Sequence, residues 1–253
     1  MLAAERQKKI EALIIEQKAV RVDNLAREFG VSEMTIRRDL DKFKRDGLLE
    51  RCHGGAVINS EYVNESVYNE KSEMNVDAKR KIAEYAASFV KEGMTVYLDS
   101  GTSVLQIVQF ISKIKNLTIV TNDLSIALAV ATHMEAKIIM IGGSVQNELL
   151  CVHGVLAEQM LSCVKVDTAF VGGLAIDENM DLFSREEKKV SFRRLLMRQT
   201  RNTYLLVDES KFMKISLFKV HSISEYTAVL TTKQLDDKER KLAEERGINI
   251  ISV

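Results

Sequence analysis

The sequence contains no proline and only three cysteines, and none of its apolar runs approaches the length of a membrane span. Each shortage excludes something. Without proline, turns must be made by Gly, Asn, Asp and Ser. Cys52, Cys151 and Cys163 are odd in number and far apart, so a disulfide framework is excluded and a reducing compartment is expected. There is no CxxC, and Cys151 with His153 is one pair without a matching second, so no metal site and no cofactor are expected. A membrane helix needs about 20 apolar residues in a row. The N-terminal MLAAERQKKIEALIIEQ is charged and amphipathic and lacks a signal-peptide core. A cytoplasmic protein without a membrane partner is therefore expected. An excess of one charge is also missing, because 36 basic and 36 acidic side chains cancel. That excludes a protein basic all over, but not a local basic patch that meets phosphate.

What is present is core material. Apolar residues make up 46% of the 253 and charged residues 28%, enough for one large domain or two smaller ones. Ile10, Leu13 and Ile14 stripe a first helix over 5–17, and a second helix over 24–29 has Asp23 as its expected cap. Gly30 suits the positive φ that ends a helix, and Ser32 suits the N-cap of the next. In that third helix Ile36, Leu40 and Phe43 face a core, while Thr35, Arg37, Arg38, Lys42 and Arg45 face outward. Gly47 stops it. Short strands at 48–51 and 56–58 around His53-Gly54-Gly55 complete a helix-turn-helix with a wing. Outward charge alone is satisfied by a solvated surface. The order of elements points further, to a recognition helix in the major groove. Ser32, Glu33, Thr35 and Arg38 are then placed to meet bases, and Arg37, Arg51 and His53 to meet phosphate or the minor groove.

The winged domain is expected to end at residue 58. Residues 59–76, polar and acidic with Glu61, Glu65, Glu70 and Glu73, read as a linker. From 77 to 253 a helix at 77–91 is followed by strands and helices in alternation. The expected strands are 95–98, 117–120, 137–141, 168–171, 204–207, 227–230 and 248–252. The expected helices between them are 103–111, 124–131, 155–161, 186–201 and 234–246. Continuous apolar strands alternating with helices imply an α/β domain with a mainly parallel sheet covered on both faces. In such sheets ligands bind beyond the carboxyl ends of the strands. The residues there are Asp99-Ser100-Gly101-Thr102-Ser103, Thr121-Asn122, Gly142-Gly143, Gly172-Gly173 and Asp208 with Lys211. Singly, such glycines and hydroxyls only shape turns. Together they compose a phosphate cradle with a lysine clamp.

VSEMTIRRDL followed by DGLLERCHGGA closely resembles the recognition helix and wing of the DeoR family of bacterial transcription regulators. DSGTS, TNDLSIA and VDESKF are similar to three segments of that family's C-terminal domain, so the resemblance covers nearly the whole chain. It implies a small α+β winged helix-turn-helix domain followed by an α/β sensor that resembles ribose-5-phosphate isomerase. It implies a repressor of a sugar operon, bound to a double-stranded DNA operator as a homodimer or homotetramer and released by a phosphorylated sugar without turnover. The alternative is a phosphosugar isomerase with a DNA-binding appendage, with Asp99 and Asp208 as candidate bases. Departures from the family pattern fall at Gln146, where an arginine is common, and at Leu174, where a polar residue is.

Overall fold

Apolar residues at every third or fourth position draw the N-terminal segment into three helices around one small core. The computed structural model describes residues 2–45, 47–59, 68–147 and 149–253. The elements are α1 (Ala3–Gln17), β1 (Ala19–Arg21), α2 (Val22–Phe29), α3 (Glu33–Arg45), β2 (Leu49–Cys52) and β3 (Gly55–Ile58). Ile10, Ile14, Leu25, Ile36, Leu40, Phe43 and Leu48 are buried together. Gly30, at φ +64°, ends α2, and the Ser32 hydroxyl accepts the Thr35 N–H at 3.2 Å to start α3. Arg6 and Gln7 hold Asp39 through bonds of 2.7 and 2.8 Å, which pins α1 to α3.

Two local readings need correction. Asp23 lies inside the first turn of α2 rather than capping it, because burial of Val22 brings the helix start forward to that residue. The wing has three antiparallel strands in the order β1-β3-β2. β1 is three residues long, too short to show a period in the sequence. It explains Gly55, where an added Cβ would lie 2.2 Å from the Val20 carbonyl oxygen.

The chain clusters into two compact units, the first holding residues 1–64 with Met213–Leu217 and the second the rest. The second unit opens with α4 (Tyr68–Glu73) and α5 (Val76–Ala87). α4 falls within the stretch expected to be a linker, so that stretch is partly helical. Residues 60–67 of it, with Glu61 and Glu65, lie outside the described residues. Then come β4 (Thr95–Leu98), α6 (Thr102–Leu105), α7 (Ile107–Ile111), β5 (Thr118–Thr121), α8 (Leu124–His133) and β6 (Lys137–Met140). β7 (Ser144–Gln146), β8 (Cys151–His153), α9 (Val155–Ser162), β9 (Val166–Gly172), β10 (Ala175–Ile176) and β11 (Asp181–Ser184) follow. α10 (Glu187–Gln199), β12 (Thr200–Leu206), β13 (Phe218–Ser222), β14 (Ala228–Thr231), α11 (Asp237–Glu245) and β15 (Ile250–Ser252) complete the chain.

Seven strands form one sheet, ordered β15-β14-β12-β9-β4-β5-β6, and every pairing in it is parallel. Successive side chains of a strand point to opposite faces. Val96 and Leu98 of β4 therefore join one core with Ile82 and Ala86 of α5 and Ile126 of α8. Tyr97 joins the other, with Leu161 of α9 and Phe192 of α10. The expected helix at 103–111 is interrupted at Gln106, and the hairpin β7–β8 and the small sheet β10-β11-β13 were not anticipated. From β4 the chain winds through β5 and β6 to one edge and through β9, β12, β14 and β15 to the other. The order reverses between β4 and β9, which opens a crevice at their carboxyl ends.

Candidate functional site

The crevice is lined by the two loops that leave β4 and β9. Ser100, Gly101, Thr102 and Ser103 form one side, and Gly172, Gly173 and Leu174 the other. Gly101 sits at φ +147°, a conformation that side-chain-bearing residues rarely adopt. An added Cβ on Gly173 would lie 2.5 Å from Cγ1 of Val207, so packing also demands glycine there. Four cations complete the lining: Lys71 of α4, Lys189 and Arg193 of α10, and Lys211. Asp99 lies at the end of β4, fully buried, and its Oδ2 accepts from Nε and Nη2 of Arg193 at 3.2 and 2.9 Å. A guanidinium this buried is held by such a partner and by its fixed fork geometry. Behind the pocket, buried Lys79 donates to the Lys71 carbonyl oxygen. Burial, and next to it the Lys211 ammonium, lowers the Lys79 pKa against the pull of Asp208. Burial pushes the Cys151 thiol up to about 11, despite Lys189 and a bond to Ser100, so this cysteine is a poor nucleophile.

The lining carries four positive groups, hydroxyls and a glycine backbone, and Asp99 beneath it is already bonded to Arg193. Chemically such a lining suits an oxyanion.

Of the residues expected at the site, Ser100, Gly101, Thr102, Ser103 and Lys211 line the pocket, and Asp99 supports it from beneath. Five do not line it. The Thr121 hydroxyl donates to the Leu98 carbonyl at 2.7 Å. Asn122 accepts from the Tyr97 hydroxyl at 2.9 Å and donates to the Val152 carbonyl at 3.1 Å. Both are fully buried struts between strands. Gly142 and Gly143 turn the chain from β6 into β7, with Gly143 at φ +144°. Asp208 is a further correction. It caps the short turn Glu209–Lys211, accepting from the Ser210 N–H at 2.9 Å and from Asn75 at 3.0 Å.

Lys71, Lys189 and Arg193 were missed. The signal for the last two was present: Lys189 and Arg193 share the inward face of α10 with Phe192 and Leu196. Two cations on a core-facing stripe break the amphipathic pattern. Nothing in the sequence marked Lys71. Of the departures, Leu174 lines the pocket, whereas Gln146 pairs with Cys151 in the hairpin.

On the first unit, α3 exposes Ser32, Glu33, Arg37 and Arg38, with Thr35 half-buried. Arg37 pairs with Glu33 at 2.9 Å, and the hydroxyls of Ser32 and Thr35 lie 3.0 Å apart. Lys42 donates to Gln7 at 3.0 Å, which ties it to α1. Arg51 is half-buried and turns toward Asp41 at 3.5 Å instead of standing out from the wing. His53 is exposed at the wing tip.

Two family models match the chain: the DeoR-like helix-turn-helix domain over residues 6–62 and the DeoR C terminal sensor domain over residues 74–233. The glycerol-3-phosphate regulon repressor of Escherichia coli is 29% identical over 91% of each chain. The L-fucose operon activator of Haemophilus influenzae is 30% identical over 92% of this chain and 93% of its own. Among solved structures, a D-ribose-5-phosphate isomerase in complex with phospho-erythronic acid matches with a TM-score of 0.41, at 17% identity over 54% of each chain.

Proposed function

The chain belongs to the DeoR family of transcription regulators, and we propose that it represses a carbohydrate operon and leaves its operator when a phosphorylated sugar fills the β4–β9 crevice. One observation carries the ligand class: four cations surround a hydroxyl- and glycine-rich loop at the point where strand order reverses. Ser100 to Ser103 and Lys211 take the phosphate with Lys189 and Arg193, and Asp99 orients Arg193. Two relatives support the carbohydrate setting by name, one a repressor and one an activator. The isomerase alternative is set aside, because the relatives are named as regulators.

On DNA, α3 enters the major groove. Ser32, Glu33, Thr35 and Arg38 meet base edges, and Arg37 and His53 meet the backbone. The Glu33–Arg37 pair opens readily, since an exposed pair at this spacing is worth only about 0.3–0.5 kcal/mol. One winged domain covers one half-site, so two or more copies act together in the cytoplasm. Coupling runs through α4. Its Lys71 carbonyl accepts from the Thr102 hydroxyl at 3.4 Å as well as from Lys79. A phosphate on the 100–103 loop competes for that hydroxyl and loosens α4, so the ligand distinguishes two states, as control requires.

The test begins with an operator that the protein itself selects from random duplexes. Fluorescence anisotropy then follows its affinity with and without phosphosugars that raise the melting temperature. The affinity should fall about tenfold or more, a coupling of roughly 1.4 kcal/mol. Lys211→Ala should lose this response and keep operator binding. A phosphosugar that binds and leaves operator affinity unchanged would overturn the proposed control. A transcription reporter separates repression from activation.

A further inference from the structure

We infer that the outer face of α9, with the start of α10 and the hairpin β7–β8, is where two copies of this chain meet. The inference rests on the reading that the protein acts as more than one copy, and adds the surface.

α9 is VLAEQMLS, a helix with a single charged side chain. That charge does not face water alone, because Ser191 of α10 donates to Glu158 at 2.6 Å. Ala157 and Leu161 are buried in the sheet-facing core. Val155 and Leu156 are left 72% and 66% exposed, and Met160 lies one turn beyond Leu156. A helix that meets only solvent on its outer side places polar residues there; this one exposes Gln159 and Ser162 but sets three large apolar side chains among them. The neighbouring elements extend the patch. Val145 is exposed on β7, and Ser144 beside it lines one groove with Val155 and Leu156 of α9 and with Lys188 and Val190 of α10. A stable interface takes roughly 800 Å² from each partner, wider than one helix face, and these three adjoining elements supply that breadth.

The charges around the patch identify the occupant. The groove between α9 and α10 is lined by Glu158 and Glu187 and by Lys188 and Arg194, two of each sign. Nucleic acid or an anionic membrane calls for one sign. A mixed, neutral rim around an apolar centre is complementary to itself, the condition for a two-fold contact. In such a contact α9 packs on its symmetry mate, and the Glu187 and Lys188 side chains of one copy meet those of the other.

Sedimentation velocity on the full chain tests this. The native protein is expected to sediment as a dimer or larger. The double variant V155E, L156E should have half that mass or less, with an unchanged far-UV spectrum, because both positions are exposed. As a second arm, L156C in a C52S, C163S background should cross-link into dimers on oxidation. A native oligomer whose mass survives the glutamates and whose L156C form does not cross-link would overturn the assigned surface alone. A native protein that is monomeric both free and on its operator would sink the multi-copy reading itself.

Discussion

The basic face of α3 and the basic cluster of α10 are built from the same two side chains and differ in their access to water. Arg37 and Arg38 of α3 are exposed. Lys189 and Arg193 of α10 are 5% exposed, and Arg193 is clamped by a carboxylate with no exposure at all. A charge that stays in water adds little to or subtracts little from stability, and it acts on a polyanion at long range until salt screens it. A charge removed from water is tolerated only with a partner, and it is then oriented before any ligand arrives. The difference suits the two proposed tasks. A duplex presents a long array of phosphates that must be found and released. A small metabolite presents one phosphate that must be distinguished from bulk anions.

The comparison breaks most visibly at Arg193. Arg193→Ala leaves Asp99 buried and unpaired, and urea titration should show a loss of about 3–5 kcal/mol of unfolding free energy. A loss under about 1 kcal/mol would falsify the view that this pair is held out of water.

Next comes Asp123, the N-cap of α8, which accepts from Ser125 and Ile126. Burial, opposed by those N–H groups, raises its pKa from 3.8 to about 6. Between these values the folded state binds the extra proton, so this group's contribution to stability rises as pH falls from 6 toward 4. Asp123→Asn keeps a capping oxygen and should abolish that slope. The native-minus-variant difference in unfolding free energy should change by on the order of 3 kcal/mol across the window. Parallel curves would show that the carboxyl is solvated.

Gly173→Ala forces a methyl to 2.5 Å from Val207 and 3.1 Å from Leu182. Overpacking of this kind should lower stability by about 1–3 kcal/mol and blunt phosphosugar binding. An alanine variant with native melting and native binding would show that Val207 moves aside freely.

The smallest effect on folding belongs to Arg38→Ala, expected within about 0.5 kcal/mol of native stability. Its effect should appear only on DNA, as roughly 1–3 kcal/mol of lost operator discrimination. Unchanged discrimination would move base reading to another residue of α3.

Legibility in the sequence followed the same division. The periodicity of Ile36, Leu40 and Phe43, the cap at Ser32 and the stop at Gly30 are local signals, and the helix they frame is where they put it. The apolar strand runs were equally plain, because strands buried on both faces need no polar alternation. Strand ends gave candidate loops but not their ranking. Thr121 and Asn122 look like ligand contacts in sequence, yet they bond across to the Leu98 carbonyl, Tyr97 and the Val152 carbonyl, groups far away in the chain.

By itself the sequence determined the main helices and the strands of the large sheet, the alternation that makes that sheet parallel, the exposed basic helix and the family. Those follow from propensity, period and motif, which act over a few residues. Tertiary structure alone decided which strand-end loops share a crevice, because strand order is set by packing between distant segments. β4 pairs with both β5 and β9, and only the second pairing brings Ser100 beside Gly172. It alone also decided that Arg193, 94 residues from Asp99, becomes that carboxylate's partner, because a buried charge must find its opposite wherever the fold supplies one.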